Sequence, residues 1–169
     1  MPRKVGLDVG GVLTDSQKND GTDTSFRTDN FMKTSSVPGS FEAVATLVRW
    51  YGAENIFIIS KCGEVIEYKT RLWLAGNGFF SQTGFQESNL NFCLHRADKA
   101  PIAARLGLTD FVDDRADVLA YMDGIVDLRY LFGPQAELSQ TTDLIVTPTW
   151  SDTLRAMREG VRRPFNPSV

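Results

Sequence analysis

Five polar residues stand where apolar runs end or a helix begins: Asp8, Ser60, Lys99, Asp113 and Asp114. Brought to one point, they have a coherent chemistry. Three carboxylates in one place repel one another and do not all ionise unaided. A hard cation relieves that repulsion, and oxygen donors with open coordination positions suit Mg²⁺. A lysine and a serine hydroxyl beside such a cluster would hold the oxygens of a transferring phosphoryl group. A carboxylate between Mg²⁺ and lysine can then act as nucleophile, forming an aspartyl-phosphate that water later releases.

Other chemistries have less to work with. His95 is the only histidine, so Ser-His-Asp or Cys-His catalysis would rest on that residue alone. Cys62 and Cys93 form no CxxC motif, which argues against a zinc cluster and a disulfide scaffold and for two free thiols. No GxxxxGK[ST] motif is present, which excludes a P-loop NTPase. Receiver-type signalling domains also combine acids, a hydroxyl and a lysine around Mg²⁺. There the paired acids come first, whereas here the lone Asp8 leads and the pair follows late.

These residues need a scaffold that gathers them. The chain has 169 residues and is 42% hydrophobic, which fits one domain with a full core. An apolar run over 5–9 leads into Gly10-Gly11, reading as a strand that leaves into a turn. The stretch 14–37 is polar and reads as a long loop or a minimal insertion. Pro38 opens a helix with Phe41, Val44, Leu47, Val48 and Tyr51 at helical spacing, stopped by Gly52. Residues 55–60 form an apolar strand ending in Ser60. Helices are expected over 64–75, 98–106 and 117–122, and a last one to about Arg158 capped by Ser151. Further strands are expected at 90–94, 111–112, 125–132 and 144–146. Such alternation predicts a mostly parallel sheet with helices on both faces, a three-layer Rossmann-like α/β fold. Right-handed crossovers place all strand C-termini on one edge, where ligands of such sheets bind.

The order of the five residues resembles the four motifs of the haloacid-dehalogenase-like (HAD) hydrolases. VGLDVGGVL resembles the first motif, IFIIS the second, Lys99 in ADKAPIAARLG the third, and FVDDR the fourth. Together they span about three-quarters of the chain. The resemblance implies a parallel Rossmann-like sheet with minimal or no cap, and a Mg²⁺-dependent hydrolase of phosphomonoesterase type. It implies Asp8 as nucleophile and metal ligand, with Ser60 and Lys99 binding the transferring group. Gly10 would offer its backbone carbonyl to the metal, and Asp114 its carboxylate, with Asp113 beside it. Lys61 and Gly11, next to motif residues, join Ser60 and Lys99 as candidate substrate contacts.

The sequence departs from the family pattern at position 10. Phosphatases of this family usually carry a second Asp there, which protonates the leaving oxygen and later activates water. Loss of a positioned acid/base removes about 10²–10⁴-fold in rate. Gly10 leaves three readings open: a phosphatase with a substitute acid such as Asp15, a dehalogenase- or phosphonatase-type hydrolase, or a relative that only binds a ligand or partner. Neither gap between motifs has room for a large cap. An open crevice then implies a large substrate or a lid from a partner subunit of a homo-oligomer. A phosphorylated small molecule is the expected substrate. The DDR triplet and the RLWL…GF stretch also loosely resemble phosphatase modules that act on polynucleotide ends. The net charge of −3 argues against general nucleic-acid binding. No run of eighteen apolar residues is present and Met1 leads directly into a strand, so the expected location is the cytoplasm, away from membranes.

Overall fold

A computed structural model describes residues 2–15, 24–135 and 143–160. Its elements in chain order are β1 (Val5–Leu7), α1 (Ser40–Tyr51), β2 (Ile56–Lys61), α2 (Glu64–Gly76), α3 (Phe79–Thr83) and β3 (Leu90–Cys93). Then come α4 (Lys99–Leu106), β4 (Asp110–Asp113), α5 (Ala116–Tyr121), β5 (Leu128–Phe132), β6 (Ile145–Thr147) and α6 (Trp150–Glu159). The six strands form one sheet in the order β3-β2-β1-β4-β5-β6, and every neighbouring pair is parallel. The chain builds outward from β1 to β3, then returns to place β4 on the other side of β1. That reversal opens a crevice at the C-terminal ends of β1 and β4.

The strand sequences explain why both faces are covered. Along β2, Ile56 and Ile58 enter one core with Val5, Leu7, Trp73 and Trp150. Phe57 and Ile59 enter a second core with Ala103, Phe111, Val118 and Leu119. A strand buried on both faces must be apolar at every position, as IFII is. Gly6 in β1 faces the second core, where a β-carbon would collide with Leu108 and Phe111.

The 14–37 segment is anchored where it is described. Asp15 N–H donates to Ser35 O (2.8 Å) and Val37 N–H to Leu13 O (2.8 Å), so the two stems run side by side. Phe26 and Phe31 pack on the first core, Trp73 Nε1 donates to Thr34 O (2.9 Å), and Lys69 Nζ donates to the carbonyls of Phe26 and Thr28. Residues 16–23 of the expected insertion lie outside the described residues.

Several expected boundaries shift. α3 falls between β2 and α4, where one helix and one strand were expected; its five residues are bracketed by Gly78 and Gly84, both left-handed. Five residues are too few to display a helical period. The first long helix begins at Ser40 rather than Pro38, because Gly39 sits at φ 77°. The last helix is capped by Thr149, whose hydroxyl accepts from Asp152 N–H, so Ser151 lies inside it and caps nothing. Residues 125–127 belong to the turn after α5, and β5 starts at Leu128. Among the described residues no helix is long and apolar enough to cross a membrane.

Candidate functional site

Register brings the first two carboxylates together. Leu7 pairs with Val112, so Asp8 and Asp113 follow side by side at the ends of β1 and β4. Asp8 N–H donates to Val112 O (3.0 Å), which holds the Asp8 backbone against the neighbouring strand. Leu7 and Val112 face the first core, so the next residue on each strand turns toward the α4 side. Lys99, the first residue of α4, is waiting there. Its Nζ lies 2.9 Å from Asp8 Oδ1 and 2.8 Å from Asp113 Oδ2, with the lysine only 2% exposed.

Asp113 is fully buried, and both its oxygens are engaged. Oδ2 accepts from Lys99 and Oδ1 from the Arg115 N–H (3.0 Å). Asp114 follows in the turn to α5, and Asp8, Asp113 and Asp114 each bring one oxygen within 4.8 Å of the others. Asp113 therefore fixes the lysine, while Asp8 and Asp114 retain oxygens for a ligand. Gln135, which nothing in the sequence singles out, donates its side-chain amide to the carbonyls of Asp114 (3.2 Å) and Phe132 (3.1 Å), tying the ends of β4 and β5.

The electrostatics follow from three acids, Asp8 and Asp113 buried and Asp114 half-buried, facing one base. Burial, then the charge of Asp8, push Asp113 well above the usual carboxylate range. The same two causes push Asp114 up to about 6. Burial disfavours the Lys99 ammonium, but Asp8 and Asp113 outweigh it and raise its pKa, so it stays charged. With all three carboxylates ionised, the cluster would carry more negative charge than one lysine offsets. A set of hard oxygen donors with excess negative charge fits a divalent cation such as Mg²⁺.

The loop after β1 shapes the mouth. Gly11, at φ 76°, packs against Asp114, and a β-carbon there would collide with the Asp114 carboxylate. Gly10 beside it is exposed, and a β-carbon there would meet nothing within 4 Å. Ser60 is buried at the end of β2, one residue beyond the level of Asp8 by register, and Lys61 follows it exposed to solvent. Asp15 lines a cavity that also touches Gly11 and Asp114. Arg115 points away from the cluster into an exposed ion pair with Asp117.

The thiols are free, with Cys62 buried and Cys93 half-buried. Burial pushes Cys62 up to about 11 and raises Cys93 as well, so neither is a thiolate nucleophile at neutral pH.

No protein-family model matches the sequence, and no curated protein matches it. Solved structures do. The chain is similar to the D,D-heptose 1,7-bisphosphate phosphatase of B. bronchiseptica complexed with magnesium and phosphate, with 15% identity, a TM-score of 0.60, and coverage of 93% of this chain and 98% of that one. It is similar to a HAD-superfamily hydrolase of Ehrlichia chaffeensis, with 10% identity, a TM-score of 0.62, and coverage of 94% and 97%. It is also similar to the cobalt-bound deoxy-D-mannose-octulosonate 8-phosphate phosphatase of Haemophilus influenzae, with 11% identity, a TM-score of 0.56, and coverage of 94% and 90%. The six-stranded parallel sheet, with Asp8, Lys99, Asp113 and Asp114 gathered at its C-terminal edge, has the fold of the HAD-like hydrolases.

Proposed function

We propose that this chain is a Mg²⁺-dependent HAD-like hydrolase of the phosphomonoesterase type, with Asp8 as nucleophile. The observation that carries this reading is Lys99, buried and shared between Asp8 and Asp113 with Asp114 beside them. A structural ion pair would need one carboxylate; three carboxylates around one lysine leave negative charge for a cation to neutralise. Two of the similar structures, the heptose bisphosphate phosphatase with magnesium and the cobalt-bound octulosonate phosphatase, are of phosphatases holding a divalent metal.

The cation would be held by Asp8, Asp114 and the Gly10 carbonyl, and when bound it supplies charge that offsets the phosphoryl oxygens. Asp113 keeps Lys99 in place and ionised. Lys99 restrains Asp8 through Oδ1, which leaves Oδ2 to attack phosphorus. The new Asp8–phosphorus bond forms as the ester bond breaks, and the leaving oxygen takes a proton. Water then attacks phosphorus, releasing phosphate and restoring Asp8. Ser60, Lys61 and the Gly11 backbone are the remaining substrate contacts. Asp15, which lines a cavity together with Gly11 and Asp114, would supply the proton that a side chain at position 10 would otherwise give.

Gly10 favours a second reading, a binding-only relative. A generic aryl phosphate and a panel of phosphorylated metabolites, assayed with and without Mg²⁺, separate the two. Mg²⁺-dependent turnover that Asp8→Asn abolishes is the expected result. Binding of Mg²⁺ with no turnover of any ester would instead establish the binding-only relative.

A further inference from the structure

Asp114 stands one residue beyond the last register pair of β4 and β5, Asp113 with Leu131. Beyond that level β5 is paired with β6 alone: Phe132 pairs with Thr147, and Gly133 N–H donates to Thr147 O (3.1 Å). Gly133 turns the chain at φ 83°, and Pro134 after it has no N–H to give back to β4. A side chain takes the place of a strand neighbour. Gln135, half-buried, folds back so that its Nε2 donates to Asp114 O (3.2 Å) and Phe132 O (3.1 Å). Both partners are carbonyl oxygens, so only the amide nitrogen suits this position. The far end of the same peptide unit is also held, because Arg115 N–H donates to Asp113 Oδ1 (3.0 Å). A peptide unit is planar and rigid, so fixing its oxygen and its N–H fixes the plane.

We infer that Gln135 is a positioning residue for the carboxylate cluster. It orients the Asp114–Arg115 peptide plane and, through that plane, two groups at once. One is Asp114, whose carboxylate packs against Gly11. The other is Asp113, whose second oxygen lies 2.8 Å from Lys99 Nζ, while Lys99 in turn lies 2.9 Å from Asp8. Hydrogen bonds in such a chain polarise one another, so the outermost donor strengthens those within. Gln135 thus stands at one end of a relay whose other end is Asp8. The relay itself does not depend on the hydrolase reading above, but its service to a metal ion and a nucleophile rests on that reading. An apolar side chain of similar length at position 135 would leave both carbonyls without this donor. An ionised carboxylate there would face both carbonyls as a further acceptor.

Gln135→Met and Gln135→Glu in the full chain test this, by two readouts that need no turnover. Mg²⁺ affinity, measured by calorimetry, is expected to fall about tenfold in each, the low end for partners that orient metal-holding groups. The glutamate is the sharper variant, because its added negative charge near the cluster would by itself raise affinity for a cation. By NMR, the Arg115 amide signal is expected to move to higher field and to exchange faster with solvent in both variants. The Thr109 amide, at the opposite edge of the sheet, is expected to keep its wild-type values. Wild-type affinity in both variants, a higher affinity in the glutamate variant, or an Arg115 amide signal that does not move overturns the inference. A Thr109 amide that changes along with that of Arg115 marks a general loosening and overturns it as well. Mg²⁺ binding without turnover in the wild type, with affinity still reduced in both variants, overturns the hydrolase reading and upholds the role of Gln135. A wild type that binds no Mg²⁺ overturns both.

Discussion

Gly11 packs so closely on Asp114 that a β-carbon at position 11 would overlap the carboxylate. The glycine also sits at φ 76°, a left-handed conformation that side chains resist. One residue thus meets two demands, turning the chain after β1 and leaving Asp114 room at the cluster. Gly11→Ala should cost about 1 kcal/mol of stability from backbone conformation. Its larger effect should be on the metal, because Asp114 must move aside. Calorimetric titration with Mg²⁺ should show affinity lowered about tenfold or more. An unchanged affinity would mean that Asp114 is not a ligand.

Lys99 bridges two buried acids, Asp8 and Asp113. Lys99→Met removes it and leaves Asp8 and Asp113 facing each other. Breaking a buried pair in this way costs about 3–5 kcal/mol. The sign of its pH dependence is diagnostic. The orphaned Asp113 carboxyl would titrate even higher in the folded state, so lowering the pH should restore part of the loss. Denaturant unfolding of wild type and variant at pH 5 and pH 7.5 checks this, and a deficit that grows on acidification would refute it.

Metal-free protein should also report the cluster. The Asp114 carboxyl moves from an ordinary value of 3.8 up to about 6 on folding, because of burial and then Asp8. A raised carboxyl contributes stability that is fullest below its unfolded value and is lost as pH rises through its folded value. The unfolding midpoint without metal should therefore fall between about pH 4 and pH 6 from this group, and saturating Mg²⁺ should recover the loss. Below pH 6, Mg²⁺ affinity should rise about tenfold per pH unit for one displaced proton. Affinity that is flat across that window would exclude Asp114 from the site.

The gathering of Asp8, Lys99 and Asp113 was legible because a parallel sheet leaves little choice. Each residue ends an apolar strand or starts the following helix, and right-handed crossovers put those positions on one edge. What stayed hidden depends on contacts between distant segments. The collision between Gly11 and Asp114 needs the turn after β1 to meet the turn after β4. The engagement of both Asp113 oxygens depends on a backbone N–H, that of Arg115, which every residue but proline possesses. The cavity lined by Gly11, Asp15 and Asp114 also draws on Pro38, Pro134 and Pro148, which lie far apart in the chain. Thr149 displaced Ser151 as a cap because Trp150 is buried, with its indole donating to Val12 O, and this fixes where α6 starts.

A second buried polar network lies at the opposite edge of the sheet. Arg3 bridges to Asp110 at the start of β4, and its Nη1 donates to the Met157 carbonyl (2.6 Å). Tyr130 Oη donates to Asp110 (3.0 Å), as does Thr109 Oγ1 (2.6 Å). Asp110 is fully buried, so Asp110→Ala removes the carboxylate that Arg3, Tyr130 and Thr109 all donate to. The expected cost is about 3 kcal/mol in chemical unfolding. Mg²⁺ affinity at the other edge should be unchanged, because no group of this network touches the cluster. A variant that loses metal affinity while keeping its stability would contradict that separation.

Position 10 decides how the chain handles the leaving proton. A β-carbon there meets nothing within 4 Å, and Gly10 is not among the glycines with positive φ, so an aspartate can be introduced without a clash. If Asp15 supplies the proton in the natural chain, Asp15→Asn should lower kcat for an alkyl phosphate by about 10²-fold, the low end for a general acid. It should have far less effect on an aryl phosphate, whose leaving oxygen needs little protonation. Gly10→Asp in the same chain should restore most of the alkyl phosphate rate, because the acid would return to the place two residues after the nucleophile. Rescue by Gly10→Asp with no loss from Asp15→Asn would mean that the natural chain works without an acid. In that case its substrate must be an ester, or another bond, whose leaving group departs unprotonated.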